Sequence, residues 1–65
     1  MNLENIKDIE LAKKTYLKYY SNMESLFSDY PKLMPKWYTY TKLNSIKDNY
    51  NIEFNRWLFT LIFGE

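Results

Sequence analysis

Apolar residues recur every three or four positions through the first half of the chain, from residue 6 to residue 30. The positions on this seam are Ile6, Ile9, Ala12, Tyr16, Tyr19, Met23, Leu26 and Tyr30. Such spacing is typical of one face of an α-helix, and from Ile9 onward it is heptad-like. No glycine or proline interrupts the stretch, and Pro31 disfavours a helical conformation for the residue before it. The pattern predicts helix 1 over about residues 4–28, with Asn2, Asn5 or Asp8 capping its start.

The length of this predicted helix has a consequence of its own. A helix over residues 4–28 would be about 37 Å long at about 1.5 Å per residue. A compact chain of 65 residues should be only about 28 Å across. Helix 1 is therefore expected either to protrude or to have a partner.

A second helical pattern occupies the other end of the chain. Its apolar face consists of Tyr50, Phe54, Trp57, Leu58 and Leu61. Ser45 and Asp48 form a capping signal ahead of it, Asn51 is a competing start, and Gly64 stands where a glycine often ends a helix. The pattern predicts helix 3 over about residues 46–63, with a break allowed near residues 49–51. Because its second half is apolar nearly all round, this helix is expected to be buried on every side.

The connector over residues 29–45 allows two interpretations. Pro31 and Pro35 suit the first turn of a helix, and Trp37, Tyr40, Leu43 and Ile46 follow at steps of three. Residues 37–41, WYTYT, are instead rich in β propensity and alternate as an edge strand does. A helix over about residues 35–44 is favoured because a lone strand has no visible partner, and Trp37, Tyr40 and Leu43 are then expected in the core. The chain is thus predicted to be one all-α domain, residues 1–65, a small helical bundle with two long helices joined by a proline-bounded aromatic connector.

Composition argues against catalysis and against metal or cofactor binding. The chain has no cysteine, no histidine and a single glycine, which leaves it without the usual nucleophiles, metal ligands and glycine-rich phosphate loops. The acidic residues show no spacing suited to paired carboxylate chemistry. A non-enzymatic protein without cofactors or metals is predicted.

The longest apolar run, residues 57–63, is far shorter than the roughly 20 residues of a membrane-spanning helix. The acidic amino terminus is unlike a secretory signal. A cytoplasmic protein with no membrane attachment is therefore expected.

Charge is balanced overall at +1, but it is unevenly distributed. No acid occurs from Pro31 to Lys47, and this stretch supplies the candidate partner-binding residues Lys32, Lys36, Tyr38, Lys42 and Lys47. They would suit a protein partner with an acidic surface. The alternative is a small nucleic-acid-binding protein that uses the basic aromatic segment 32–47, because single-strand binders combine lysines with stacking rings. The low net charge counts against that alternative.

The carboxy-terminal helix supplies the candidate oligomer interface: Trp57, Phe59, Ile62 and Phe63. A chain this short cannot readily surround both predicted helices, so some of these side chains are expected to meet another chain, and self-association is predicted. The alternative is a monomer in which all of them pack internally.

The function predicted is that of a non-enzymatic interaction protein that acts by occupying a partner's surface. The excess of lysine over arginine and the frequent asparagine are typical of A+T-rich genomes, whose phages and mobile elements often encode such small inhibitors of host or defence proteins.

Overall fold

A computed structural model describes residues 3–64 of the chain. Within that range the protein consists of helices and connecting turns, without any strand. The elements in chain order are α1 (Ile9–Tyr19), α2 (Met23–Asp29), a short 3-10 helix (Pro31–Leu33), α3 (Met34–Leu43) and α4 (Tyr50–Phe63). The prediction of an all-α fold is confirmed, and the connector forms a helix rather than a strand.

The two-long-helix prediction was wrong at helix 1, which is two helices rather than one. α1 begins after Asp8, whose Oδ1 accepts hydrogen bonds from the backbone N–H groups of Glu10 (3.0 Å) and Leu11 (3.3 Å). Of the other predicted caps, Asn5 lies before α1 and Asn2 lies outside the described residues. The chain leaves the helical path at Ser21, which has a left-handed backbone (φ 51°). Asn22 then caps α2, because its Oδ1 accepts from the Ser25 N–H at 3.2 Å.

A residue of α4 stabilises the turn between α1 and α2. The Oδ1 of Asn55 accepts from the Ser21 N–H at 2.7 Å, and its Nδ2 donates to Ser21 Oγ at 2.9 Å. Folding back at this point lets both short helices cover the same core. The molecule consequently measures 33 × 24 × 17 Å, shorter in every direction than the continuous helix would have been.

The second predicted long helix is shorter than expected at its start. α4 begins at Tyr50, because Asn49 adopts a left-handed backbone (φ 55°) and separates the helix from residues 44–48. Ser45 and Asp48 therefore lie in the α3–α4 loop and do not cap α4. The break allowed near residues 49–51 is where the helix in fact starts. One core prediction for the connector also fails, since Leu43 is 80% exposed at the end of α3.

The core is built from a few large side chains. Trp37 of α3 meets Phe54 and Trp57 of α4, with ring centroids 5.6 Å and 5.4 Å apart. Rings of this size remove more apolar surface from water than smaller side chains would, which suits a chain with few residues to bury. The buried apolar residues are Leu3, Ala12, Tyr19, Leu26, Leu33, Trp37, Phe54, Trp57, Leu58 and Ile62.

The segment before α1 closes the carboxyl end of α4. The backbone N–H groups of Asn5 and Ile6 donate to the carbonyl oxygens of Leu61 (2.9 Å) and Ile62 (2.8 Å). These carbonyls belong to the last turn of the helix, where no intrahelical donor remains. Gly64 ends α4 as predicted, with φ 74°, a backbone conformation that other residues rarely adopt, and a Cβ there would lie 2.6 Å from Asn5 Oδ1. The amino-terminal segment is thus an integral part of the fold.

Candidate interaction surfaces

Four rings from α1 and α4 form a cluster at the surface, called here the aromatic cluster: Tyr16, Tyr20, Phe59 and Phe63. Phe59 and Phe63 stack with their centroids 4.5 Å apart and their planes 26° from parallel. Tyr16 meets Phe59 edge-on at 5.7 Å, and it contacts Tyr20 in the same manner at 5.6 Å. These distances are typical of favourable ring pairs. The rings therefore hold one another in place, although Tyr20 is 52% exposed and Phe59 is 50% exposed.

Half of this cluster belongs to a longer row of side chains on α4, called here the outer stripe: Ile52, Arg56, Phe59 and Phe63. Steps of four, three and four residues, at about 100° per residue, place all four side chains within about 60° of one another around the helix axis. The same geometry places the stripe opposite Phe54 and Leu58, which are fully buried. Ile52 is 60% exposed. α4 is therefore apolar on the side that faces solvent as well as on the side that faces the core.

The structure divides the candidate oligomer interface between core and surface. Trp57 and Ile62 are buried and belong to the hydrophobic core. Phe59 and Phe63 lie on the outer stripe. Ile52 and Arg56 share that face but were not among the predicted interface residues, although their spacing from Phe59 gave a usable signal. Tyr16 and Tyr20 could not be found from the sequence, because only the packing of α1 on α4 brings them beside Phe59.

A shallow groove of about 460 Å³ runs between α1 and α4 along this surface. It is lined by Tyr16, Tyr20, Ile52, Asn55, Arg56, Phe59 and Thr60. Burial raises the pKa of the Tyr16 phenol above its ordinary value, and the neighbouring Tyr20 raises it further. Tyr16 is consequently neutral at physiological pH, and it contributes an apolar ring and a hydroxyl group to the lining of the groove.

The five candidate partner-binding residues do not form a single surface. Lys32 and Lys36 line a groove of about 570 Å³ beside the 3-10 helix, and Glu4 and Asp29 line it too. Lys36 forms an ion pair with Glu4. The acid-free run in the sequence is therefore not an acid-free surface, because the fold brings acids from other segments against it.

The other three candidates lie elsewhere. Tyr38 and Lys42, four residues apart, share the outward side of α3, and Tyr38 is 57% exposed. Lys47 lies in the α3–α4 loop and is exposed. Positive charge is thus distributed over two faces and a loop, which provides no continuous track for an anionic chain.

Two phenols donate hydrogen bonds to carboxylates: Tyr19, which is buried, and Tyr40, which is half-buried. Tyr19 donates to Asp29 Oδ2 at 2.7 Å, and burial, followed by that hydrogen bond and the Asp29 charge, raises its pKa well above the ordinary value. Burial and the neighbouring Glu53 raise the pKa of Tyr40, with Arg56 opposing them. Both phenols therefore stay protonated at physiological pH. Across residues 3–64, no group of three acidic side chains is arranged to hold a metal ion.

No helix in the described part of the chain combines the length and the hydrophobicity needed to cross a membrane. Comparisons with protein-family models, with curated proteins and with solved structures found no match to this chain.

Proposed function

We propose that this chain is a non-enzymatic interaction protein that acts by occupying the surface of a protein partner. The observation that carries the proposal is the outer stripe of α4, where Ile52 and Phe59 remain at least half exposed beside an ordered set of rings. Contiguous exposed apolar patches on small proteins often mark interaction sites. Aromatic residues and arginine are also enriched at the energetic centres of protein interfaces.

The arrangement of the rings favours binding in a second way. Association costs free energy when flexible side chains must be ordered at the interface. Phe59 is already held between Phe63 and Tyr16, so little additional ordering is needed on this side. The surface is thereby preorganised for a partner with a complementary apolar face.

The nucleic-acid alternative has weaker support. Phosphate backbones are recognised by several lysines or arginines acting together, and the resulting affinity falls steeply with salt. Here Lys36 is paired with Glu4, and the remaining candidate lysines lie on separate parts of the surface. A protein partner is therefore the function to test first.

The test is a pull-down from extract of the native host that compares tagged wild type with Phe59→Asp. A carboxylate at the centre of the outer stripe should weaken capture of a specific partner by about 30-fold or more, as expected of a hot-spot residue that contributes about 2 kcal/mol. The captured protein is then purified and titrated against both forms, so that a dissociation constant replaces band intensity. Circular dichroism checks that the helices are retained.

Leu43→Asp is the matched control, because it introduces the same charge at an apolar residue that is 80% exposed and lies on α3. It should leave capture unchanged. Ile52→Asp provides a second probe of the stripe if Phe59→Asp loses helicity. Equal capture by wild type, the two stripe variants and the control would show that this surface does not bind the partner.

A further inference from the structure

We infer that the outer stripe pairs with the outer stripe of a second copy of this chain, with the two α4 helices antiparallel. This inference rests on the proposed function, because it uses the same surface and names its occupant. It goes further in specifying which side chains meet across the contact. Three properties of the stripe support this pairing: its spacing, its charge and its area.

The spacing of the stripe is self-complementary in one antiparallel register. When the two-fold axis passes between residues 57 and 58, Ile52 faces Phe63 of the second copy, and Arg56 faces Phe59 of the second copy. Symmetry repeats both contacts, as required at a two-fold interface where the same patch serves both copies. The steps of four, three and four residues are those of helices that pack side by side along a seam.

The contact available to Arg56 favours this orientation. Its side chain is 73% exposed and keeps only a loose contact of 3.8 Å to the Glu53 carboxylate. In the antiparallel register each guanidinium lies over an aromatic ring of the other copy, an attraction that strengthens as water is excluded. Parallel helices in register would instead place Arg56 against Arg56. The antiparallel pair therefore offsets the two Arg56 residues by about 4.5 Å along the helix axes and gives each cation a ring to contact.

The small area of the contact indicates a weak dimer. A half-exposed ring shows about 100 Å², so the outer stripe with Tyr20 offers about 400 Å² of apolar surface per copy. Stable interfaces bury about 800 Å² on each partner, and smaller ones are weak or transient. The dimer is accordingly expected to dissociate in the micromolar range or above. Such a dimer forms at high concentration and separates on dilution.

The register is tested by cysteine cross-linking, for which the chain is suited because it has no cysteine of its own. Positions 52 and 63 of one helix are about 16 Å apart, too far for a disulfide, which needs Cα atoms within about 7 Å. The double variant Ile52→Cys with Phe63→Cys should therefore form a covalent dimer on oxidation. Each single variant should remain uncoupled, because its two cysteines lie at opposite ends of the antiparallel pair.

Arg56→Gln tests the charge contribution by sedimentation of otherwise native protein. Loss of two cation–ring contacts should raise the dimer dissociation constant about tenfold. Lys42→Gln removes the same charge from the outward side of α3 and should leave that constant unchanged.

The outcomes separate this inference from the proposed function. Efficient cross-linking of either single variant would overturn the antiparallel register. Monomeric wild type at all concentrations, with no cross-linking of the double variant, would overturn the second copy as occupant. In that case capture of a partner that Phe59→Asp abolishes would leave the proposed function standing, whereas absence of both dimer and Phe59-dependent capture would overturn both.

Discussion

Tyr19 shows how one side chain joins two helices. Its ring is buried near the end of α1, and its hydroxyl donates to Asp29 at the end of α2. Tyr30 meets the ring edge-on at 6.2 Å. A neutral phenol that donates to a carboxylate is favoured here over a phenolate, which would be both desolvated and repelled by Asp29.

The raised pKa of Tyr19 has a consequence for stability at alkaline pH. Above about pH 10, the ordinary tyrosine pKa, the unfolded chain loses the phenolic proton while the folded chain keeps it. The free energy of unfolding should therefore be at its full value below about pH 10 and should fall as pH rises above that point toward the folded pKa. Tyr16 and Tyr40, whose pKa values are also raised, should add to this fall.

Tyr19→Phe separates the hydrogen bond from the titration. The variant should be less stable by about 1 kcal/mol at neutral pH, because one hydrogen bond is lost. Above about pH 10 its stability should fall less steeply than that of wild type. Urea unfolding at several pH values measures both effects. An unchanged slope would contradict the role of Tyr19, and Tyr38→Phe, at an exposed phenol, should change neutral stability by less than about 0.5 kcal/mol.

Among the elements, the turn between α1 and α2 depends on a distant residue. Asn55 binds both the backbone and the hydroxyl of Ser21, which is 34 positions away in the sequence. Ser21 adopts a left-handed backbone that is unfavourable for most residues. The turn is thus held by α4 rather than by its own sequence alone.

Asn55→Ala should loosen this turn. Two hydrogen bonds of roughly 1 kcal/mol each are lost, and the better helix propensity of alanine returns up to about 0.7 kcal/mol. A net destabilisation of about 1 kcal/mol is expected, with faster amide exchange at residues 21–22. Asn51→Ala, at an exposed position on the same helix, gains the propensity without breaking these contacts and should be neutral or slightly stabilising. Equal exchange rates at residues 21–22 in both variants would argue against the Asn55 contact.

This turn also shows where sequence reasoning reached its limit. The apolar seam predicted one helix over about residues 4–28, and most of that range is helical in α1 (Ile9–Tyr19) and α2 (Met23–Asp29), because periodicity depends on local geometry. It could not reveal the break, since the seam continues across residues 20–22 and the stabilising amide comes from another helix. The same limit applies to the interface candidates. Trp57, Phe59, Ile62 and Phe63 span less than two turns, so composition alone could not say which of them face the core.

At the scale of the whole molecule, the amino-terminal segment packs against α4 and completes the hydrophobic core. Leu3 is only 2% exposed, which makes it as much a part of the core as the aromatic residues of α3 and α4. A domain of this size has only a few kcal/mol of net stability. Small changes at this junction should therefore affect the entire fold.

Leu3→Ala tests that dependence. Truncation of a buried leucine costs about 2–5 kcal/mol, which is comparable with the total stability expected of the domain. The variant should be largely unfolded or should melt at a much lower temperature when followed by circular dichroism. Leu43→Ala, a truncation at a residue that is 80% exposed, should melt within a few degrees of wild type. Similar melting of all three proteins would show that the segment is not needed for stability.

The hydrogen bonds from Asn5 and Ile6 to the last turn of α4 also determine when folding can be completed during synthesis. Residues 3–6 emerge from the ribosome well before residues 61 and 62 have been added. At roughly 5–20 residues per second, the roughly 55 residues between them take about 3–11 seconds to add, and until then the carbonyl groups that the early segment binds do not exist. Folding of this protein should therefore be completed only after α4 has left the ribosome, and a nascent chain stalled before that point should lack the native core.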